Sequence, residues 1–169
     1  DLSISFATQY IPDGRVKPLG TADALVQAMD QYPQLKKISF SVCNSDNLYS
    51  VNALSKLREN PEINSFIAYD SKHLKFPEDR LSSFAVTILD NENKLLDIIE
   101  KPKKEEIDSF QDKRGVIRVS MNIFSFKGDQ LYKYVKLCPI HKDRNEKELP
   151  IAVLNMIKDF PGSMQGIPM

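Results

Sequence analysis

The chain has 169 residues, with 23 basic and 23 acidic side chains and 41% hydrophobic residues, which is enough for one domain with a real core and gives a formal net charge of zero. That balance argues against a nucleic-acid or anionic-membrane binder, which carries a basic excess, and no apolar run reaches membrane-spanning length. Its two cysteines, Cys43 and Cys138, show no ligand spacing, and no signal-peptide pattern opens the chain, so the expected setting is reducing and cytoplasmic.

Leu2, Ile4 and Phe6 alternate with Ser3 and Ser5, which predicts a strand that ends at Gln9. Residues 11–20, rich in Pro and Gly, are a loop. Thr21 is placed to cap a helix with Asp23 in its first turn and Leu25, Met29 and Tyr32 on its apolar face. A glycine before such a start, here Gly20, can bring backbone N–H groups close to a ligand. Ile38 to Asn44 reads as a buried strand. Ser50 then caps a helix to about Glu59, with Val51, Leu54 and Leu57 inward.

Ile63 to Tyr69 is a further strand, and 71–82 a charged connection. Phe84–Leu89 and Leu95–Glu100 form a hairpin about the turn Asp90–Asn93. Pro102 ends its second strand and leaves Glu100 and Lys101 at the strand end. Residues 103–113 are charged and expected to be mobile, with Lys103–Glu106 a solvated face. Val116 to Phe126 is one buried strand, in which Asn122 needs a ligand or the backbone as partner. Lys127–Leu137 is a short helix with Leu131, Tyr134 and Val135 inward. Glu148–Ile157 is another, with Pro150 tolerated in its first turn. His73 and His141 stand alone and read as surface or structural residues. The chain opens without Met and closes on Gly166-Ile167-Pro168-Met169, so the expectation is a single domain over 1–169, truncated at both ends.

The stretch Asn44-Ser45-Asp46-Asn47 has two readings. Asp and Asn serve in turns through side-chain bonds to their own backbone. Alternatively Asp46, a lone carboxylate at the C-terminal end of a buried strand, sits where α/β folds take ligands and would hold a divalent metal over a nucleotide phosphate. Gln9 with Gly20-Thr21, Asp46, Glu100-Lys101 and Asn122 each fall at or near a strand end, and a mainly parallel sheet would bring those ends to one edge.

With these pieces in order the chain resembles the sugar-phosphate nucleotidyltransferases, which join an NTP to a sugar 1-phosphate and release pyrophosphate. The matching stretches are Gly20–Leu25, Asn44–Tyr49, the hairpin into Ile99-Glu100-Lys101-Pro102, Val119–Phe124 and Glu148-Leu149-Pro150. Singly each is common; in this order they are specific. The resemblance implies an α/β, Rossmann-like nucleotide-diphospho-sugar transferase fold, with a mixed, mostly parallel sheet and helices on both faces. It also implies that Gln9 and Gly20, with Thr21, contact the nucleotide, and that Asp46 binds Mg2+. Glu100 would hold sugar hydroxyls, Lys101 the sugar phosphate, and Asn122 would line the sugar pocket. Asp46 and Lys101 are thus the residues expected to carry the chemistry, by neutralising charge as the sugar phosphate attacks the α-phosphorus in line. The partners implied are an NTP and a sugar 1-phosphate, not nucleic acid or membrane, with room for a homo-oligomer.

Two departures accompany the resemblance. The family's glycine-rich loop, with its Arg and Lys, is not among these residues and would lie ahead of Asp1. Many members read leucine-threonine-aspartate where this chain has Leu149-Pro150-Ile151, and Ser163–Ile167 offers no carboxylate as a second metal ligand. That ligand lies beyond Met169, or one protein carboxylate suffices, or metal binding is impaired. Two other functions stay open: nucleotidyl transfer to another phosphorylated alcohol such as phosphocholine, and a non-catalytic regulatory or assembly module of the same fold.

Overall fold

A computed structural model of the chain describes residues 3–74, 84–103 and 105–169. In chain order its elements are α1 (Thr21–Gln31), β1 (Ser39–Cys43), α2 (Val51–Arg58), β2 (Asn64–Asp70), β3 (Ala85–Leu89) and β4 (Leu95–Ile99), then β5 (Arg118–Ser120), β6 (Ile123–Lys127), α3 (Gly128–Lys136), α4 (Leu149–Asp159) and β7 (Met164–Pro168). Short 3-10 turns lie at Pro33–Lys36, Ser71–His73 and Ile107–Phe110. The chain divides into two compact units, one built from Asp1–Ile38 with Lys127–Met156 and the other from Ser39–Phe126 with Ile157–Met169. The charged connection expected over 71–82 lies largely outside the described residues, as do Asp1 and Leu2 of the first expected strand.

The first unit is helical. Ala22 and Met29 of α1 and Leu131, Tyr134 and Val135 of α3 are buried, as the spacing of the α3 apolar residues requires. Gly128 opens α3 where the chain passes hard against Leu35: a Cβ there would stand 1.8 Å from the Leu35 carbonyl oxygen. Only glycine fits that approach.

The described part of the strand expected from Leu2 to Gln9 does not form, because residues 3–10 find no β partner. They run along α1, whose side chains supply the missing ladder. Gln31 accepts from Thr8 N–H at 3.1 Å and donates to Thr8 O at 2.8 Å, and Gln27 does the same for Tyr10 at 2.7 and 3.1 Å. The Tyr32 hydroxyl donates to Phe6 O at 2.7 Å. Ile4 and Phe6 stay exposed.

The second unit is a seven-stranded sheet in the order β1-β6-β2-β5-β3-β4, with β7 added alongside β2. The pairings β2–β5, β2–β6, β3–β4 and β3–β5 are antiparallel, and β2–β7 is parallel. The sheet is therefore mixed, but the mostly parallel arrangement expected from sequence is corrected: it is dominantly antiparallel. Side-chain alternation carries no strand direction, and the tight Asp90–Asn93 turn permits only an antiparallel return. In that turn the Asp90 carboxylate accepts from Glu92 and Lys94 N–H, both at 2.8 Å.

The strand expected over Val116–Phe126 is broken at Met121-Asn122, where Asn122 takes φ 55°. Ser50 caps α2 as expected, accepting from Ala53 N–H at 3.1 Å. Of its expected inward residues Leu57 is buried as expected, but Val51 is 80% exposed and Leu54 38%, and Ala53 is buried beside Leu57 instead. Ala53 and Leu57 join Ile67 of β2 and Ile123 of β6 in one core cluster, with Tyr49 packed against it. β7, a mixed Gly- and Pro-containing run, was not expected as a strand.

Candidate active site

The break at Met121-Asn122 forks the sheet. Before it, β5 lies between β2 and β3; after it, β6 lies between β2 and β1. β4 is antiparallel to β3, and β3 to β5, so β4 and β5 run in the same direction. The pairs Val86↔Ile99, Val86↔Val119 and Ala85↔Ser120 set Glu100 in the row of Ser120, two strand spacings or about 10 Å away. The ends of β4 and β5 thus reach the fork together. The loop after β1 arrives there as well, through hydrogen bonds to Met121.

That loop, Asn44–Tyr49, carries Asp46. The Tyr49 hydroxyl donates to Met121 O at 2.7 Å and accepts from Asn47 Nδ2 at 3.1 Å and from Asn44 N–H at 3.3 Å. Asn47 Nδ2 also reaches Met121 O at 3.3 Å. Burial pushes the Tyr49 phenol above its ordinary pKa, against the lowering effect of its bonds from Asn47 and Asn44. It therefore stays protonated, and a donor, at neutral pH. Asp46 is exposed, and among the described residues its carboxylate has no hydrogen-bond or ion-pair partner.

Two of the three other expected residues at the fork hold unusual backbone. Lys101 has φ 48° and Asn122 φ 55°, left-handed values that non-glycine residues rarely adopt. Such strain collects at functional sites. Asn122 N–H donates to Ser120 Oγ at 3.2 Å, and its own side-chain amide has no partner among the described residues. Lys101 is exposed and Glu100 half-buried.

Gln9, Gly20 and Thr21 belong to the first unit, where they do meet. Gln9 Nε2 donates to Gly20 O and to Asp23 Oδ2, both at 3.0 Å. Two acceptors fix that end of the amide as NH2 and leave Oε1 as a free acceptor among the described residues. Gly20 is the α1 N-cap with φ 108°, and a Cβ there would stand 2.5 Å from Lys147 O. Its glycine is thus demanded by packing. Thr21 is not the cap expected from sequence: its hydroxyl accepts from Leu149 N–H at 3.0 Å, satisfying an orphan donor in the first turn of α4. In the same unit a groove of about 280 Å³ is lined by Gly14–Lys17 and Arg144–Glu146. Its Arg15 guanidinium is committed to Lys17 O and Asn145 O.

A family model described as nucleotidyl transferase matches residues 1–159. The chain belongs to the nucleotidyl transferase family. It is similar to a glucose-1-phosphate adenylyltransferase of Thiobacillus denitrificans, 30% identical over 114 residues that cover 68% of this chain and 25% of the relative. It is also similar to the bifunctional protein GlmU of Methanococcus maripaludis, 26% identical over 151 residues, 89% of this chain and 31% of that protein. The chain thus spans between a quarter and a third of the length of these relatives.

For this nucleotidyl transferase chain, the donor set decides what metal chemistry the fork can support. Among the described residues no three His, Cys, Asp or Glu side chains gather as a metal site. Among the described residues, then, Asp46 belongs to no closed protein cage. A free, exposed carboxylate does suit Mg2+, which takes one or two protein carboxylates and completes its octahedron with phosphates and waters. Sequence reasoning missed Asn47 and Tyr49 as the residues that hold the Asp46 loop; both stand in the stretch that pointed to Asp46. No helix among the described residues is long and apolar enough to cross a membrane.

Proposed function

We propose that the protein transfers a nucleotidyl group from an NTP to a sugar 1-phosphate, yielding an NDP-sugar and pyrophosphate. The observation that carries this reading is the fork: the loop of Asp46, the Glu100-Lys101 strand end and the strained Asn122 all come to one break in one sheet. Family membership and the similarity to a glucose-1-phosphate adenylyltransferase support it. In this reading Asp46 is the protein ligand of Mg2+, which when bound neutralises phosphate charge. The Lys101 ammonium takes the sugar phosphate, Glu100 accepts from sugar hydroxyls, and the unpartnered Asn122 amide faces the same substrate. In the first unit, Gln9 Oε1 accepts from a donor edge of the base while its NH2 stays on Gly20 and Asp23. Positioning and charge neutralisation do most of the work in such transfers.

The test is pyrophosphate release by the full-length protein with a panel of NTPs against sugar 1-phosphates and phosphocholine. Turnover confined to sugar 1-phosphates, and reduced severely by Asp46→Asn at limiting Mg2+, is the expected result. Turnover with phosphocholine alone, or an Asp46→Asn variant as active as wild type, would overturn the reading.

A further inference from the structure

One hydroxyl sits at the centre of the hydrogen bonds that hold the Asp46 loop. A phenol has one O–H to donate and two lone pairs to accept with. Tyr49 uses all three, toward Met121 O, Asn47 Nδ2 and Asn44 N–H. These partners lie on either side of Asp46 in the loop and on the strand break opposite. Asn122 O, at 3.4 Å, lies beside the same hydroxyl. The ring is held in turn, packed against the cluster of Ala53, Leu57, Ile67 and Ile123. Tyr49 thus joins a packed core to the hydrogen bonds that link the Asn44–Tyr49 loop to Met121-Asn122.

We propose that Tyr49 is a positioning residue for the nucleotidyl transfer, its hydroxyl fixing the Asp46 loop on the β5–β6 break so that Asp46 meets the substrate at a set distance from Asn122. The proposal rests on the functional reading above. Tyr49 touches no reacting atom; it acts through Asp46. Asn47 shares the task, since its side chain reaches the same Met121 carbonyl.

The experiment uses the full-length protein with Tyr49→Phe, which keeps the ring in its pocket and removes only the hydroxyl. The expected results are a Tm lowered by about 2–4 °C and faster hydrogen exchange at Asn44 N–H, which loses its acceptor. The kcat falls about 10–100-fold, as when a residue that orients a metal ligand is removed, while the KM for the sugar phosphate is unchanged. Added to Asp46→Asn, Tyr49→Phe gives no further loss, because both act through the same carboxylate. A Tyr49→Phe variant with wild-type kcat, or one whose loss multiplies fully with that of Asp46→Asn, would overturn the proposal and leave Tyr49 as packing only. An Asp46→Asn variant that is itself fully active would overturn the functional reading instead, and is read from a different protein.

Discussion

Lys101 combines strain with a charge that has no partner among the described residues. A left-handed backbone costs a non-glycine residue about 1–2 kcal/mol, and glycine returns about 0.5–1 kcal/mol of that as lost chain entropy. Lys101→Gly should therefore leave unfolding free energy within about 1 kcal/mol of wild type. If its ammonium holds the sugar phosphate, the same variant raises the KM for that substrate about tenfold or more, the value of a charged hydrogen bond. Denaturant titration and a KM measurement separate the two effects, and an unchanged KM would remove Lys101 from the site. Gly20 is the opposite case, a residue fixed by packing. Gly20→Ala forces a Cβ onto the Lys147 backbone, 2.5 Å from its oxygen, at a φ of 108°. Neither neighbouring atom is the end of a flexible side chain, so a loss of roughly 2–4 kcal/mol is expected in urea unfolding. An unperturbed midpoint would show that the Lys147 backbone gives way to the added methyl at little cost.

At the scale of elements, the sequence was legible at several places where a local rule was sufficient, though not at the Thr21 cap, whose hydroxyl serves Leu149 instead. The Ser50 cap, the Asp90–Asn93 turn and the inward face of α3 each depend on residues a few positions apart. It was illegible wherever the partner was distant. Alternation at Ile4 and Phe6 fits a strand, but the segment's ladder comes from Gln27 and Gln31 of a helix, which no periodicity encodes. In Val116–Phe126 only Asn122, a residue type that tolerates left-handed backbone, hints at the break, because Met121 and Ile123 are as strand-like as their neighbours. The sense of the sheet was missed for the same reason. Of the site, Asp46, Glu100, Lys101 and Asn122 were nameable from their strand ends, whereas Tyr49 acts through Met121, 72 residues away, a partner that no local pattern shows. The amide ladder of α1 gives its own prediction. Replacing Gln27 and Gln31 together by Ala removes the acceptors of Tyr10 and Thr8 N–H. Those two amides should exchange markedly faster while global stability changes by about 1–2 kcal/mol at most, since the bonds are exposed. Unchanged protection at Thr8 and Tyr10 would mean that another partner holds the segment.

For the molecule as a whole, acid stability is the property that the charge pattern fixes most directly. Arg118, 7% exposed in the row of β5, reaches Asp112 Oδ2 through Nε at 3.3 Å and Ala68 O through Nη1 at 3.4 Å. The same carboxylate accepts from Arg114 N–H at 2.8 Å and Val116 N–H at 3.0 Å, which ties the turn before β5 to the strand that enters the fork. Burial would raise the Asp112 pKa, but the N–H groups of Val116 and Arg114 and the Arg118 guanidinium outweigh it and hold the carboxyl below 3.8. A carboxylate depressed in the folded state stabilises fully above its unfolded pKa, and that contribution is lost as pH falls through the folded one. Unfolding free energy should therefore decline below about pH 4. Asp112→Asn should be less stable at pH 7 by roughly 2 kcal/mol or more, because it leaves a buried guanidinium without its counter-charge. Its decline in acid should also be shallower, with Asp30, lowered by its bonds to Lys36 and Tyr132, among the carboxylates that sustain the remaining slope. Urea midpoints of both proteins at pH 7 and pH 3 decide the matter. Parallel losses on acidification would mean that Asp112 is not a proton site of folding, and that Arg118 is neutralised by something other than this carboxylate.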